Sequence, residues 1–114
     1  MIFIASAWSP NMVVDDHCLL DFYQIDRATF KKLCPYAHSC MNKENLAKIL
    51  RIKFNPEHVQ LRAGDCLMVV HIKYGKLQPD AEELPRNVRL EYYCYNVYSP
   101  STHVIVEKEF MEDK

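Results

Sequence analysis

Glycine is nearly missing from this chain: its 114 residues include only two, Gly64 and Gly75. Phosphate-cradling loops need several, because the backbone must approach the anion with no Cβ in the way, so the P-loop and the G-x-G-x-x-G fingerprint are excluded. The five cysteines (Cys18, Cys34, Cys40, Cys66, Cys94) form no C-x-x-C pair and are odd in number. That argues against a disulfide framework and against a cysteine-rich zinc site. The five histidines are scattered, with no H-x-H or H-E-x-x-H, so neither a metal nor a cofactor is expected. An excess of one charge is also lacking. A formal net charge of −1 gives no basic surface for long nucleic acid. No apolar run approaches membrane-spanning length, and Met1–Ala5 is too short for a signal region and lacks a leading positive charge. A cytoplasmic protein with no membrane partner is the expectation.

What is present fits one globular domain, with 49% hydrophobic and 25% charged residues. The two glycines bracket its most strand-like stretch, Cys66–Tyr74 (CLMVVHIKY), which reads as a strand buried on both faces. Period two puts His71 and Lys73 on one face and Ile72 and Tyr74 on the other. Met1–Ala5 predicts a second buried strand, running into a loop with Ser9 and Asn11. Loops at strand ends are where open α/β sheets place ligands. Cys18–Ile25 predicts a strand and Arg27–Cys34 a helix capped by Asp26. Residues 35–41, with His38, read as a loop, and Asn42 as the cap of a helix over Lys43–Arg51. His58–Arg62 reads as a strand turned by Ala63-Gly64-Asp65 into the central one, as an antiparallel hairpin. After an irregular, proline-containing connection, Val88–Tyr98 is the longest strand, its tyrosines suited to an exposed face or a dimer contact. The sum is an α+β fold: a mixed central sheet of about five strands flanked by helices, over residues 1–98. Residues 99–114 form a C-terminal extension in which Thr102–Phe110 could add an edge strand.

The candidate site residues are Ser9 and Asn11 after the first strand, His38 in its loop, His58 opening the hairpin, His71, and the lysines Lys73 and Lys76 at the end of the central strand. Converging, they would place hydroxyl, amide, imidazole and ammonium groups around a phosphate, with a histidine to move a proton.

Ile4-Ala5-Ser6-Ala7-Trp8-Ser9-Pro10-Asn11-Met12-Val13 resembles the opening of a family of small archaeal-virus and phage proteins, in which a hydrophobic strand leads into a small-Ala-aromatic-Ser-x-Asn-Met motif. The later stretch is similar too: Ala63-Gly64-Asp65 before a Val-Val strand, Lys76-Leu77, Ala81-Glu82-Glu83-Leu84-Pro85, and a final aromatic strand. The likeness runs from Met1 to about Tyr98, and is poor over Cys18–Met41. This family includes the viral ring nucleases that act as type III anti-CRISPR proteins. The resemblance implies a homodimer that binds cyclic tetra-adenylate across its cleft and cleaves it without metal through a histidine. It implies ligand contacts from Ser9, Asn11, His58, His71 and Lys76, catalysis by His38, and action in the host cytoplasm. Two departures stand out. The family's Gly-His segment is absent, its nearest text being Ala37-His38-Ser39-Cys40-Met41, and its Asn-Arg pair is Glu57-His58 here. A non-catalytic sponge for the ligand, or an inhibitor that docks on a host protein, are the alternatives.

Overall fold

The computed structural model describes residues 1–8 and 12–100. The expectations for Ser9, Asn11 and Thr102–Phe110 lie outside the described residues.

Ten elements follow in order: β1 (Ile2–Ala5), β2 (Met12–Val14), β3 (Leu19–Ile25), α1 (Arg27–Leu33), a 3-10 turn (Cys34–Tyr36), β4 (Ala37–Ser39), α2 (Glu44–Leu50), β5 (Val59–Leu61), β6 (Cys66–Tyr74) and β7 (Arg89–Tyr98). The main sheet has the order β3-β7-β6-β1-β4. It is mixed: β7 is antiparallel to both β3 and β6, whereas β1 is parallel to both β6 and β4. The α+β architecture and the five-stranded mixed sheet therefore stand as the sequence suggests.

The strand alternation sorts residues into two cores. On one face Ile4, Met68, Val70, Tyr92 and Cys94 pack with Phe30 of α1 and Leu46 and Ala47 of α2. On the other, Phe3, Ala5, Cys40, Leu67, Val69 and Val97 pack with Met12 of β2 and Val59 and Leu61 of β5. Helices thus cover only one face; the other is covered by a small parallel sheet of β2 and β5. This corrects the expected hairpin. β5 and β6 belong to different sheets, and the turn between them carries the chain from one layer to the next. Asp65 closes that turn, its carboxylate accepting from Arg62 N at 2.9 Å while its own amide donates to Arg62 O at 2.9 Å.

The cap at Asp26 is as the sequence reads, its carboxylate accepting from Thr29 N at 2.7 Å. The cap at Asn42 is not. α2 begins at Glu44 from Lys43 with no side-chain cap, and Asn42 Oδ1 is buried without a hydrogen-bond partner. β7 is an interior strand and its tyrosines are buried or half-buried, so it does not present the exposed tyrosine face its composition suggests. The exposed apolar edge is β3, where Leu19, Leu20, Phe22 and Tyr23 all face solvent.

Both glycines adopt the left-handed region, at φ +96° and +95°. A Cβ on Gly64 would meet nothing within 4 Å, whereas one on Gly75 would lie 2.6 Å from Asn87 O and 2.9 Å from Val88 Cα. Gly64→Ala is therefore expected to cost the backbone penalty alone, about 1–2 kcal/mol. Gly75→Ala should cost clearly more. Urea denaturation midpoints compare the two, and equal losses would contradict this account of the β6–β7 connection.

Candidate functional site

His38 does not sit in a loop. It is the middle residue of β4, the edge strand, opposite Phe3 of β1 in parallel register. Its ring stands edge-on to Phe3 with centroids 5.7 Å apart. The extended backbone continues past β4, since Cys40 N donates to Ile4 O at 2.7 Å. Residues two apart on such a backbone share a face, so His38 and Cys40 point the same way.

A second segment, residues 53–57, is laid along the outer edge of β4. Asn55 N donates to Met41 O at 3.0 Å, Asn55 Nδ2 donates to Ser39 O at 3.0 Å, and Ser39 Oγ donates to Lys53 O. These bonds satisfy an edge that would otherwise be open and deliver Glu57 to His38. His38 Nε2 and Glu57 Oε1 are hydrogen-bonded, and both side chains are about half-exposed. That bond, first among the causes, holds the Glu57 carboxyl below its usual range. The buried Cys40 thiol completes the group: one ligating atom each of His38, Cys40 and Glu57 lie within 4.8 Å of one another. Burial, with the nearby Glu57 charge, pushes the Cys40 thiol up to about 11.

The remaining expected residues are distributed. His58 is exposed and follows Glu57 in the chain, one residue before β5. His71 is four residues further along β6 than the position level with His38 and two strands over, on the order of 15 Å away. Its Nε2 lies 3.1 Å from Glu91 Oε2, and its ring stacks on Tyr93. Lys73 reaches the same carboxylate at 3.6 Å, so the paired cations of the central strand are held by β7. The stack continues through Phe22 and Tyr95 to Trp8, an aromatic row along this face. Lys76 is exposed on the opposite side, next to Leu77, which packs among the helix-side residues. The structure joins His38 to Glu57 and Cys40, and holds His71 apart from them on β6.

Two features are not assigned by the sequence. In the first, Glu57 joins His38 across 19 residues, and Cys40, two residues from His38 in what reads as a loop, shares its face because that stretch is extended. The H-x-C spacing was the signal, legible only once β4 is known to be extended. The other is a cleft of about 690 Å³ on the helix side, rimmed by Arg27, Lys31, Lys48, Arg51 and Arg89 against Asp26, Glu82 and Glu83. Its cations come from three separate elements, and none of the described expected site residues (His38, His58, His71, Lys73 and Lys76) lines it. Compared with models of protein families the chain matches none, and no curated protein matches it either.

Two outcomes follow from these electrostatics. The Tyr93 hydroxyl, followed by Lys73 and His71, holds the Glu91 carboxyl below its ordinary 4.5. A lowered carboxyl contributes stability above its unfolded value and loses it as pH falls through the folded one. Glu91→Gln is therefore expected to melt lower than the parent at neutral pH, with the gap closing in acid; a gap constant with pH would contradict this. Cys40, in turn, should alkylate more slowly at neutral pH than the less buried Cys18, and Glu57→Gln should speed it. Mass spectrometry of a timed alkylation reads both, and a fast Cys40 would contradict its burial.

Proposed function

We propose that the protein is a viral counter-defence factor that binds a cyclic oligoadenylate messenger at a homodimer cleft and opens the ring without a metal, in the host cytoplasm. The observation that carries this reading is the His38–Glu57 pair, a half-exposed imidazole fixed by a carboxylate on the edge strand beside β1. The chemistry is a transesterification. A ribose 2′-oxygen attacks the neighbouring phosphorus, the bond from phosphorus to the 5′-oxygen breaks, and the products are a 2′,3′-cyclic phosphate and a 5′-hydroxyl. His38 moves the proton, taking it from the 2′-hydroxyl or giving it to the leaving 5′-oxygen. Glu57 fixes the orientation and tautomer of the ring. His58, Ser9 and Asn11 are further ligand contacts in this reading, as the family resemblance implies. His71 and Lys76 lie away from His38 in one protomer, so a ring that touches all of them needs a second copy across the cleft.

A second reading has its own support. The β3 edge exposes Leu19, Leu20, Phe22 and Tyr23 beside backbone that pairs with no further strand among the described residues, a surface suited to strand addition by another protein. It makes the chain an inhibitor that docks on a host factor.

The test is incubation with a panel of cyclic oligoadenylates in EDTA, analysed by chromatography. Linear product is expected, falling by roughly 10²–10⁴-fold in His38→Ala. Product that persists in His38→Ala removes His38 from catalysis. A ligand bound but unaltered makes the protein a sponge. Binding lost in Arg27→Glu/Arg51→Glu but kept in His38→Ala moves the ligand to the cationic cleft. Ligand at 100 times its Kd adds about 2.7 kcal/mol of apparent stability, so no thermal shift with any ring favours the docking reading.

A further inference from the structure

We propose that His38 Nε2, Cys40 Sγ and the Glu57 carboxylate form a binding site for a thiophilic divalent ion of the zinc class. An imidazole, a thiol and a carboxylate are the three donor types that zinc takes, and three protein ligands with one open position is a recognised arrangement. The three donor atoms lie within 4.8 Å of one another. Metal–ligand bonds of about 2.0–2.3 Å put tetrahedral donors on the order of 3.5 Å apart, so side-chain adjustments of about 1 Å close the site.

The scaffold is rigid where it has to be. His38 and Cys40 share a face of the β4 strand, whose pairing runs on past its end through Cys40 N to Ile4 O at 2.7 Å. Glu57 is brought in by the segment that Asn55 ties to Ser39 O and Met41 O, each at 3.0 Å. Phe3 packs against the His38 ring and fixes its approach. Cys40 is almost fully buried, 1% exposed, whereas His38 and Glu57 are 48% and 42% exposed in their side chains. An ion would therefore sit at the mouth of the site, with its open position toward solvent.

The local charge also favours a cation. A buried thiol faces a carboxylate, an arrangement that keeps the thiol protonated. A divalent ion reverses that preference by supplying the counter-charge for a thiolate. On binding, the sulfur–hydrogen bond breaks, the electron pair stays on sulfur as the metal bond forms, and the proton goes to solvent. No oxidant or further reactant is needed.

This inference does not rest on ring opening, but it bears on it. An ion on His38 Nε2 displaces the hydrogen bond to Glu57 and shifts the ring proton to Nδ1, the nitrogen the proposed chemistry needs free, so the two uses exclude one another. A metal-loaded protein would be held inactive.

The experiment is a titration of the full, chelator-stripped chain with Co²⁺ and then Zn²⁺. One Co²⁺ per chain is expected, with a near-ultraviolet thiolate-to-cobalt band that Zn²⁺ displaces. Cys40→Ser should abolish the band and Cys18→Ser should keep it. Glu57→Gln and His38→Ala alter exposed side chains and leave the fold intact; each should weaken Zn²⁺ binding at least about tenfold. No band, a band that survives Cys40→Ser, or Zn²⁺ affinity unchanged in both exposed variants overturns the proposal.

Discussion

The parallel insertion of β1 between β6 and β4 is the constraint on which the rest depends. Four residues supply it, and Phe3, Ile4 and Ala5 are 8%, 1% and 0% exposed. Alternation sends Ile4 to the helix-side core and Phe3 and Ala5 to the other, so one short strand joins both. Among the described residues it is also the only partner in the main sheet that β4 has. Without it His38 has no strand to stand on. The terminal ammonium of Met1, 3.1 Å from Asp65, ties the start of β1 to the turn that leads into β6.

The His38 group is an edge construction. Edge strands leave donors and acceptors open, and this one is closed on its outer side by residues 53–57. The closure serves chemistry as well as stability, because the same bonds aim Glu57 at His38. A histidine fixed by a carboxylate can hand a proton to a phosphodiester, and with the Cys40 thiol beside it can also hold an ion. The central strand, in contrast, spends its basic pair on Glu91 within the sheet. Those cations stabilise the β6–β7 rim, and the aromatic row through Tyr93 and Phe22 shields it.

Much of the fold was legible. The apolar runs of β1 and β6 and the Asp26 cap follow from local pattern, because each depends on residues close in sequence; the mixed sheet follows from the order of the elements, its pairings joining residues as distant as Ile2 and Cys66. The layer change at Gly64-Asp65 was not. A Gly-Asp turn between two strands suits a hairpin, and only the burial of Val59 and Leu61 against β2 decides otherwise. β4 was read as a loop because Pro35, Ser39 and small residues argue against a strand, and parallel pairing with β1 overrides them. The site suffered most. His38 was visible as a candidate, but Glu57 reaches it only through tertiary hydrogen bonds, and Asn42, read as a cap, caps nothing.

The claim at the centre of the functional reading is that His38 and Glu57 act as one unit. A double-mutant cycle on ring opening measures this directly, using His38→Ala, Glu57→Gln and the pair together. The account predicts that the double variant is no slower than His38→Ala alone. Losses that simply multiply would show two residues acting independently, and would contradict it.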